Sequence, residues 1–404
     1  MMETALFQAA LSIQSPWFIS NINFSKEYRQ LDILIDFHPG SEFDCPKCST
    51  HKCKGYDTED KTWRHLNFFQ YRCDLHCRTP RISCPNCGVI LVDVPWARKR
   101  SGFSLLMESL ILIMCMDMPI SKVASLFCED DGKIWRVVEH YVKEARSKED
   151  YSAVHIIGMD ETSSRRGHHY VTTAVDLETS KVIFATEGKD HTTVDRFSKD
   201  FEEHHGDPNS ITDICSDLSG AYIKGVHENF PNAVHTYDRF HVMKLVGDAV
   251  DSVRRTEQKS EPNLRYSRYL WLKSRPSLSQ SEEIRLIALS KMNLKTARAY
   301  RIKEAMKIVL DCPDIETATI EFNKWYYWAT HSRLEPIIKL AKSLKKYQTG
   351  ILNIVKNRIS NGVVEAINGN IQMLKRSGRG YPNTDNFITM IFLRCGKLSL
   401  NLPT

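Results

Sequence analysis

The stretch Val154-His155-Ile156-Ile157-Gly158-Met159-Asp160-Glu161-Thr162-Ser163 decides the fold. Its first half is apolar and β-branched, which predicts a buried strand, and the Thr-Ser pair at its end predicts a turn. The strand is therefore expected to end by presenting the carboxylate of Asp160 into that turn. For an isolated Asp-Glu pair a solvated acidic turn is the alternative, so the interpretation depends on the residues downstream of Ser163.

A second strand of the same kind supports the first. The segment 211–220, ITDICSDLSG, again leads an apolar run into an aspartate, Asp217, within a turn of small residues. Between the two strands, 169–177 and 181–187 form a predicted hairpin and 193–204 a predicted helix. Two strands of one sheet that end in carboxylates can assemble a divalent-metal site, because hard cations prefer oxygen ligands.

Size and composition limit the class of protein. The 404 residues predict roughly two to three domains of about 150 residues each. A hydrophobic fraction of 42% and a charged fraction of 26% are typical of a soluble globular chain. The net charge of +6 favours a polyanionic partner only weakly.

Targeting signals are not evident in the sequence. Residues 1–15 lack the basic and apolar segments of a secretory signal, and the apolar run 103–118 is too short and too interrupted to span a bilayer. We therefore expect a buried helix at 103–118, no membrane partner and a cytoplasmic location. In a reducing compartment the 12 cysteines are better explained by metal binding or burial than by disulfides.

Two CxxC pairs predict a structural zinc site. Each pair offers two thiolates from one tight turn, and together they complete a tetrahedral ligand set: Cys45, Cys48, Cys84 and Cys87. Strands of one hairpin-rich module are predicted at 63–72 and 79–83. Further candidate ligands leave the ligand set open, because they can bind a second ion, replace one pair or remain buried without metal: Cys53, Cys73, His76 and Cys77.

A basic linker and three helices come after the cysteine pairs. The helices are predicted over 103–115, over 121–127 with Ser121 as the N-cap, and over 132–143. Three helices with short turns resemble a helix-turn-helix unit whose third helix reads DNA, although a bundle that only packs is the alternative. The candidate DNA contacts are basic side chains of the linker and the third helix: Arg98, Lys99, Arg100, Lys133, Arg136 and His140.

A further strand and a long helical region come next. The segment 233–241 predicts a strand that runs into Asp238 and His241, which either orient a metal site, contact DNA or form an ordinary structural pair. From 242 to 356 the pattern is helical. Its basic side chains are either a solvated face or phosphate contacts. Its aromatic cluster, 325–328, is expected in the core rather than as a base-stacking platform.

The segment 361–376 predicts an amphipathic helix. A period of 3.6 residues places four apolar side chains on one face, for packing on the sheet: Val364, Ile367, Ile371 and Leu374. Another face aligns Glu365 with amides and a base: Asn361, Asn368, Gln372 and Lys375. A flexible basic tip suited to phosphates ends the helix, and its candidate DNA contacts are Lys375, Arg376 and Arg379.

Taken together, these segments resemble the ISL3 family of bacterial insertion-sequence transposases. The resemblance runs from the CPxC and CPxCG knuckles nearly to the C-terminus and rests on VPWAR, IWRVVEHYV, GMDETS, CSDLSGAY, YDRFHV and NGVVEAINGNIQMLKRSGRGYPN. It implies a multidomain α/β protein with an RNase H-like mixed-sheet core that is interrupted by an all-α insertion. It also implies a catalytic DDE triad of Asp160, Asp217 and Glu365. The expected auxiliary residues of the site are Asp238, His241, Asn361 and Asn368.

The chemistry expected of this family is metal-dependent. Three carboxylates in one cleft repel each other unless cations neutralise them, so Mg²⁺ or Mn²⁺ is expected. We expect Asp160 to bridge two ions, Asp217 to hold one and Glu365 to complete the shell of the other. Phosphodiester hydrolysis at the element's ends would be followed by attack of the freed 3′-hydroxyl on target DNA.

The resemblance also implies partners and a domain order. The expected partners are double-stranded DNA, as terminal inverted repeats and as target, and further copies of the chain on that DNA, in a bacterial cytoplasm and at the nucleoid when active. The expected order is a lead-in at 1–40, a zinc-binding module at 41–97, a helix-turn-helix unit at 98–148, the first part of the core at 149–245, the helical insertion at 246–356 and the last part of the core at 357–404.

Two other functions stay open. One is a zinc and helix-turn-helix regulator with an inactive nuclease core. The other is a DNA-nicking enzyme with a tyrosine nucleophile beside His168-His169-Tyr170, although adjacent strand histidines point to opposite faces and do not clamp one ion. By the same alternation Glu161 faces away from Asp160, so we assign the catalytic role to Asp160.

Overall fold

The computed structural model describes residues 2–165, 167, 169–357 and 362–402. Its contacts divide the chain into two compact units. One unit contains the chain up to Arg146 together with residues from Leu398 onward, and the other is Ser147–Lys397. His168 and Asn361 lie outside the described residues.

The first unit is built on a six-stranded sheet. Its elements are α1 (Met2–Ala10), β1 (Trp17–Ser25), β2 (Gln30–Phe37), β3 (Glu42–Phe43), β4 (Cys53–Phe68), β5 (Tyr71–Cys84) and β6 (Gly88–Leu91). The strand order is β1-β2-β5-β4-β3, with β6 beside β5. Because β2 is parallel to β5 over residues 30–35, the N-terminal segment belongs to the same sheet as the cysteine-bearing strands.

The predicted strand at 63–72 is wrong in its bounds. The chain turns between β4 and β5 instead, and Phe69 adopts a φ of 53° there. The two strands form a long antiparallel ribbon that pairs from Gly55 with Ile82 to Phe68 with Tyr71. The pattern of side chains did not reveal this turn, because Phe68 and Phe69 continue the apolar character of a strand through it.

Three helices complete the first unit and confirm the helical prediction. They are α2 (Leu105–Asp117), α3 (Ile120–Phe127) and α4 (Asp131–Arg146). The buried side chains of α2, which include Ile111 and Leu112, confirm a buried helix within 103–118. The predicted N-cap is wrong, because α3 is preceded by Pro119 and already contains Ser121. Among the described residues, no helix is long and apolar enough to cross a membrane.

The second unit contains a mixed five-stranded sheet, as predicted for the core. Its strands are β7 (Ile156–Arg165), β8 (His169–Asp176), β9 (Lys181–Glu187), β10 (Asp213–Ser216) and β11 (Val234–Tyr237), in the order β11-β10-β7-β8-β9. β7, β10 and β11 are parallel, whereas β8 is antiparallel to β7 and β9. Two helices, α5 (His191–Glu203) and α6 (Gly220–Asn229), connect β9 to β10 and β10 to β11.

The strand that carries Asp160 is longer than predicted. β7 does not end in a turn after Asp160 but continues to Arg165, and Asp160 is paired with Thr173 of β8. The register with β10 ends earlier, where Met159 lies opposite Ser216. Beyond Met159, β7 therefore pairs with a strand on the β8 side alone, because β10 ends while β8 continues.

The remaining helices form the insertion and the end of the core. They are α7 (Arg239–Glu257), α8 (Arg268–Leu272), α9 (Gln280–Lys291), α10 (Lys295–Leu310), α11 (Ile315–Thr330), α12 (Glu335–Lys346), α13 (Gln348–Asn357), α14 (Gly362–Ser377) and α15 (Thr384–Cys395). Helices α7 to α13 share an apolar core of their own. The prediction for the aromatic cluster is confirmed for Trp325, which is buried, and wrong for Tyr327 and Trp328, which lie on the outer side of α11.

Candidate active site and metal centres

Asp160 and Asp217 lie side by side because they extend neighbouring parallel strands. The last paired residues of β7 and β10 are Met159 and Ser216, and each aspartate comes next in its chain. Asp160 is largely buried. Burial, followed by the nearby charge of Asp217, raises the pKa of Asp160 to about 7. Such a carboxylate is fully ionised at neutral pH only when a cation lies close to it.

A second aspartate and a histidine complete a cluster around Asp217. Asp238 is buried and caps α7, where its Oδ1 accepts a hydrogen bond from Phe240 N at 3.0 Å. His241 Nδ1 donates to Asp238 Oδ2 at 3.1 Å and lies 2.6 Å from Asp217 Oδ1. Contact with Asp217 and then with Asp238 raises the pKa of His241 to about 10, so the imidazole is a cation at neutral pH.

The ligand atoms of Asp217, Asp238 and His241 are close enough together to hold one metal ion. Asp217 Oδ1 is buried and, despite its short distance to His241, accepts no well-aligned hydrogen bond from any described residue. The Nδ1 proton of His241 is directed to Asp238 instead. The charged imidazole of His241 thus offsets the negative charge of Asp217, but Asp217 Oδ1 still lacks an aligned hydrogen-bond donor.

Helix α14 brings the third predicted carboxylate to the same end of the sheet. Its buried face consists of Val364, Ile367, Ile371 and Leu374, as the periodicity predicts. Three polar side chains of the adjacent face contact β7: Asn368 donates to Asp160 Oδ2, Gln372 donates to Thr162 Oγ1, and Lys375 Nζ donates to the carbonyl of Ser163 at 2.7 Å. The amide-bearing face therefore lies along the strand that carries Asp160.

Glu365 is exposed and lines a cavity that Asp238 also lines. Neither Glu365 nor Asp160 belongs to the group of ligand atoms formed by Asp217, Asp238 and His241. The structure therefore places Asp160 beside Asp217, and Glu365 in the wall of a cavity that Asp238 also lines. Asn368, predicted as an auxiliary residue, contacts Asp160 directly, whereas Asn361 falls outside the described residues.

The close packing of α14 on β7 depends on Gly158. A Cβ at this position would lie 2.3 Å from Val364 Cγ2 and 2.8 Å from Leu177 Cδ2. We expect Gly158→Ala to push α14 away from β7 and to lower the free energy of unfolding by roughly 1–3 kcal/mol, as overpacking does. Urea denaturation measures this loss.

Gly369→Ala is the matched control for that substitution. Gly369 lies in α14 as well, but a Cβ there meets no atom within 4 Å. Alanine has the higher helix propensity, so this variant is expected to be at least as stable as the wild type. Equal stabilities of the two variants would contradict the close contact between α14 and β7.

The residues at the strand ends fit a divalent cation of the hard type. Asp160, Asp217 and Asp238 supply carboxylate oxygens, which such ions select. Asn368 Oδ1 is buried and has no hydrogen-bond donor among the described residues, so it offers one more unsatisfied oxygen beside Asp160. A bound cation would stabilise the two buried oxygens that receive no hydrogen bond from the described residues, Asp217 Oδ1 and Asn368 Oδ1.

Glu161 lies on the other face of β7, as strand alternation predicts. Asp160 contacts α14, whereas Glu161 interacts with Tyr222 of α6. Burial and then the charge of Asp217 raise the pKa of Glu161. The two neighbouring carboxylates are therefore structurally distinct, and only Asp160 is in contact with the polar face of α14.

The four cysteines predicted as zinc ligands come together in the first unit. Their sulfur atoms lie close enough together to hold one metal ion. The four residues are Cys45, Cys48, Cys84 and Cys87. Hydrogen bonds from the hydroxyl and then the backbone of Thr50 lower the pKa of Cys48 to about 6, which favours the thiolate that binds zinc. The donor set is that of a closed structural zinc site.

The additional cysteines behave as buried thiols. Burial raises the pKa values of Cys73 and Cys77 to about 12, and both side chains belong to the apolar core of the sheet. His76 is hydrogen bonded to Asp32 and Thr62. Among the described residues, none of these three belongs to a metal-binding group. Cys53 is also buried, and its pKa is raised by burial.

Some of the basic side chains predicted to contact DNA are already paired with carboxylates, whereas others are exposed. Arg98 Nε lies 2.9 Å from the carboxylate of Glu108, which is buried in α2 and also accepts from Ser101 and Tyr141. Two lysines form ion pairs as well, Lys99 with Asp93 and Lys133 with Glu129. His140 lies 3.6 Å from Glu144, and Lys375 bonds to β7. The exposed arginines of this set are Arg100, Arg136, Arg376 and Arg379.

A zinc site of four cysteines, a three-helix unit and a mixed sheet with acidic strand ends define a DNA-binding and DNA-processing protein. Three family models match these parts in the same order: a zinc finger of the transposases of IS204, IS1001, IS1096 and IS1165 at residues 41–87, a helix-turn-helix domain of transposase family ISL3 at 92–142, and an ISL3 transposase domain at 157–391. The chain belongs to the ISL3 family of transposases, enzymes that cleave and transfer DNA.

Two characterised relatives agree with this assignment. The chain is 24% identical to the transposase for insertion sequence element IS1557 of Mycobacterium tuberculosis, over 100% of this chain and 98% of the relative. It is also 24% identical to the transposase for insertion sequence element IS1001 of Bordetella parapertussis, over 86% of this chain and 87% of the relative. The resemblance inferred from the motifs is thereby confirmed. The four-thiol cluster lies within the zinc-finger match, which supports a structural zinc.

Two features of the site were not accessible to sequence reasoning. The ion pair of Arg98 with Glu108 joins the basic linker to a helix that was predicted only as apolar. The cavity beside Glu365 is formed by helices of the insertion and of the core that are far apart in sequence.

Proposed function

We propose that this transposase binds the terminal inverted repeats of an insertion sequence and catalyses Mg²⁺-dependent cleavage and strand transfer through Asp160, Asp217 and Glu365. The observation that carries the proposal is the convergence of three elements. β7 and β10 bring Asp160 and Asp217 side by side, and α14 packs on β7 with Asn368 in contact with Asp160. Glu365 precedes Asn368 by one helical turn on the same side of α14.

Each side chain has a role that follows from its position. Asp160, Asp217 and Glu365 would hold the ions, and Asn368 orients the Asp160 carboxylate through its amide. Asp238 fixes His241, whose Nδ1 proton is directed to Asp238 while the same nitrogen lies 2.6 Å from Asp217 Oδ1. When bound, divalent ions activate the attacking water or 3′-hydroxyl and stabilise the leaving oxygen of the phosphodiester.

DNA recognition is assigned to the exposed basic groups of both units. Arg136 on α4 is exposed and is placed to read DNA if α4 is the recognition helix of the helix-turn-helix domain. Arg376 and Arg379 lie at the end of the catalytic helix and are suited to phosphates close to the reacting one. Joining two DNA ends requires two copies of the chain, so we propose a homo-oligomer on DNA.

Nicking of duplex DNA that carries the inverted repeats flanking the gene tests this function. The wild type should cleave at the repeat ends with Mg²⁺ or Mn²⁺ and should not cleave with EDTA. Binding without cleavage in Mg²⁺ would instead support a regulator with an inactive core. A covalent adduct between Tyr170 and the DNA would support the tyrosine-nucleophile alternative.

A further inference from the structure

A large cavity opens beside the carboxylate cluster. Its volume is about 1030 Å³, and its walls come from Cys215 of β10, from Asp238 directly after β11, from α7, α8 and α10 of the insertion, and from α13 and α14. Asp238 and Glu365 lie on the wall next to the proposed reaction site. A molecule in this part of the cavity would therefore lie near Asp238 and Glu365.

The charges of the cavity do not suit a phosphate. Four basic and five acidic side chains line it, so the lining carries no net positive charge. Two of the basic groups are already engaged: Arg239 pairs with Asp311 at 2.6 Å, and Lys303 Nζ donates to the carbonyls of Trp271 and Leu272 at 2.7 and 3.0 Å. A polyanion would gain little here, whereas an uncharged ring with polar edges would fit.

The apolar part of the lining is suited to an aromatic ring. Phe240, Met243, Leu272, Leu310 and Ile354 contribute to it. Phe240 stands out because 61% of its surface is exposed although it lies between Asp238 and His241 at the start of α7. Its backbone N–H donates to Asp238 Oδ1 at 3.0 Å, so the turn of α7 that carries the ring is tied to the acidic cluster. The ring makes a T-shaped contact with His241, with 6.1 Å between the ring centroids. An exposed phenyl ring at this place still offers surface for stacking.

We infer that this cavity receives one unpaired DNA base next to the reacting phosphate, with Phe240 stacked against it. The inference rests on the proposed function, because it assigns a neighbour of the nucleotide that the carboxylates process. Enzymes that do chemistry on a base take it out of the duplex into a pocket with stacking side chains and polar edges, and the lining of this cavity offers the same two kinds of group. Aromatic stacking tolerates any base, so Phe240 positions the DNA end, and polar groups of the lining supply any base preference.

Cleavage kinetics of Phe240→Ala test this inference. On fully paired repeat DNA the variant should cleave about 10- to 100-fold more slowly than the wild type, as loss of one base–aromatic stack predicts. Phe240→Trp should retain the activity, because it keeps the ring. The matched control is Tyr327→Ala, which removes an aromatic ring that is 67% exposed on α11 and does not line the cavity, and it should cleave like the wild type.

A set of modified substrates identifies the base. In each, one nucleotide flanking the cleavage point is replaced by 2-aminopurine. With Asp160→Ala, 2-aminopurine fluorescence should rise on binding at one position only, and it should not rise with the Asp160→Ala, Phe240→Ala double variant. This readout needs no cleavage, so a failure of the proposed chemistry and a failure of the base site are distinguishable. Unchanged cleavage by Phe240→Ala, or no fluorescence rise at any position, would overturn the inference.

Discussion

Asp160→Ala and Asp217→Ala are each expected to lower Mg²⁺-dependent nicking by at least about 100-fold, because loss of even an outer partner of a metal ligand costs about 10–100-fold. Both carboxylates extend neighbouring parallel strands, and the pKa of Asp160 shows that its environment disfavours an isolated negative charge. Binding of terminal-repeat DNA should survive both changes. Gel-shift and nicking assays on the same substrate measure the two quantities.

Glu161→Ala is the matched control for Asp160→Ala. The two residues are neighbours in sequence with the same charge, but Glu161 faces α6 and interacts with Tyr222. We expect nicking by Glu161→Ala to be much closer to the wild-type rate. If Glu161→Ala loses activity and Asp160→Ala retains it, the assignment of the catalytic aspartate is wrong.

Cys45→Ser and Cys84→Ser are expected to release zinc from the first unit and to abolish terminal-repeat binding. Each variant leaves three thiols of the cluster, and structural zinc contributes about 10–16 kcal/mol in small zinc modules. Zinc content by atomic absorption should fall from one ion per chain to a small fraction of that. Loss of the ion removes the link between the turns that carry the two cysteine pairs.

The control for this prediction comes from the same sheet. Cys73→Ala and Cys77→Ala remove buried thiols outside the ligand group and should leave one zinc ion per chain. Retention of zinc in the Cys45 and Cys84 variants would contradict the proposed ligand set. Loss of zinc with normal DNA binding would show that the zinc-binding module does not support DNA recognition.

Local patterns were sufficient to predict much of the site. The apolar runs that lead into Asp160 and Asp217 and the periodicity of α14 depend only on neighbouring residues, and the structure shows all three elements. The spacing of the CxxC pairs similarly predicted the thiol cluster, because each pair forms its own turn. These features follow from chain geometry, which sequence encodes directly.

Long-range pairing accounts for the features that were missed. β7 continues past Asp160 because β8 pairs with it as far as Arg165, and no local signal distinguishes this from a turn. Arg98 looked available for DNA, but a buried carboxylate ten residues later and a tyrosine of α4 hold it in the first unit. The exposed position of Glu365 relative to Asp217, Asp238 and His241 also depends on how α14 packs on the sheet.

The most direct test of the central claim is the nicking rate of Glu365→Gln over a range of Mg²⁺ concentrations. Glu365 is the carboxylate that helix packing alone brings to the site, and glutamine keeps its size while removing its charge. If the three carboxylates act on one set of ions, nicking should stay at least about 100-fold below the wild-type rate even at saturating Mg²⁺. A rate close to the wild-type rate throughout the series would contradict a site built from Asp160, Asp217 and Glu365.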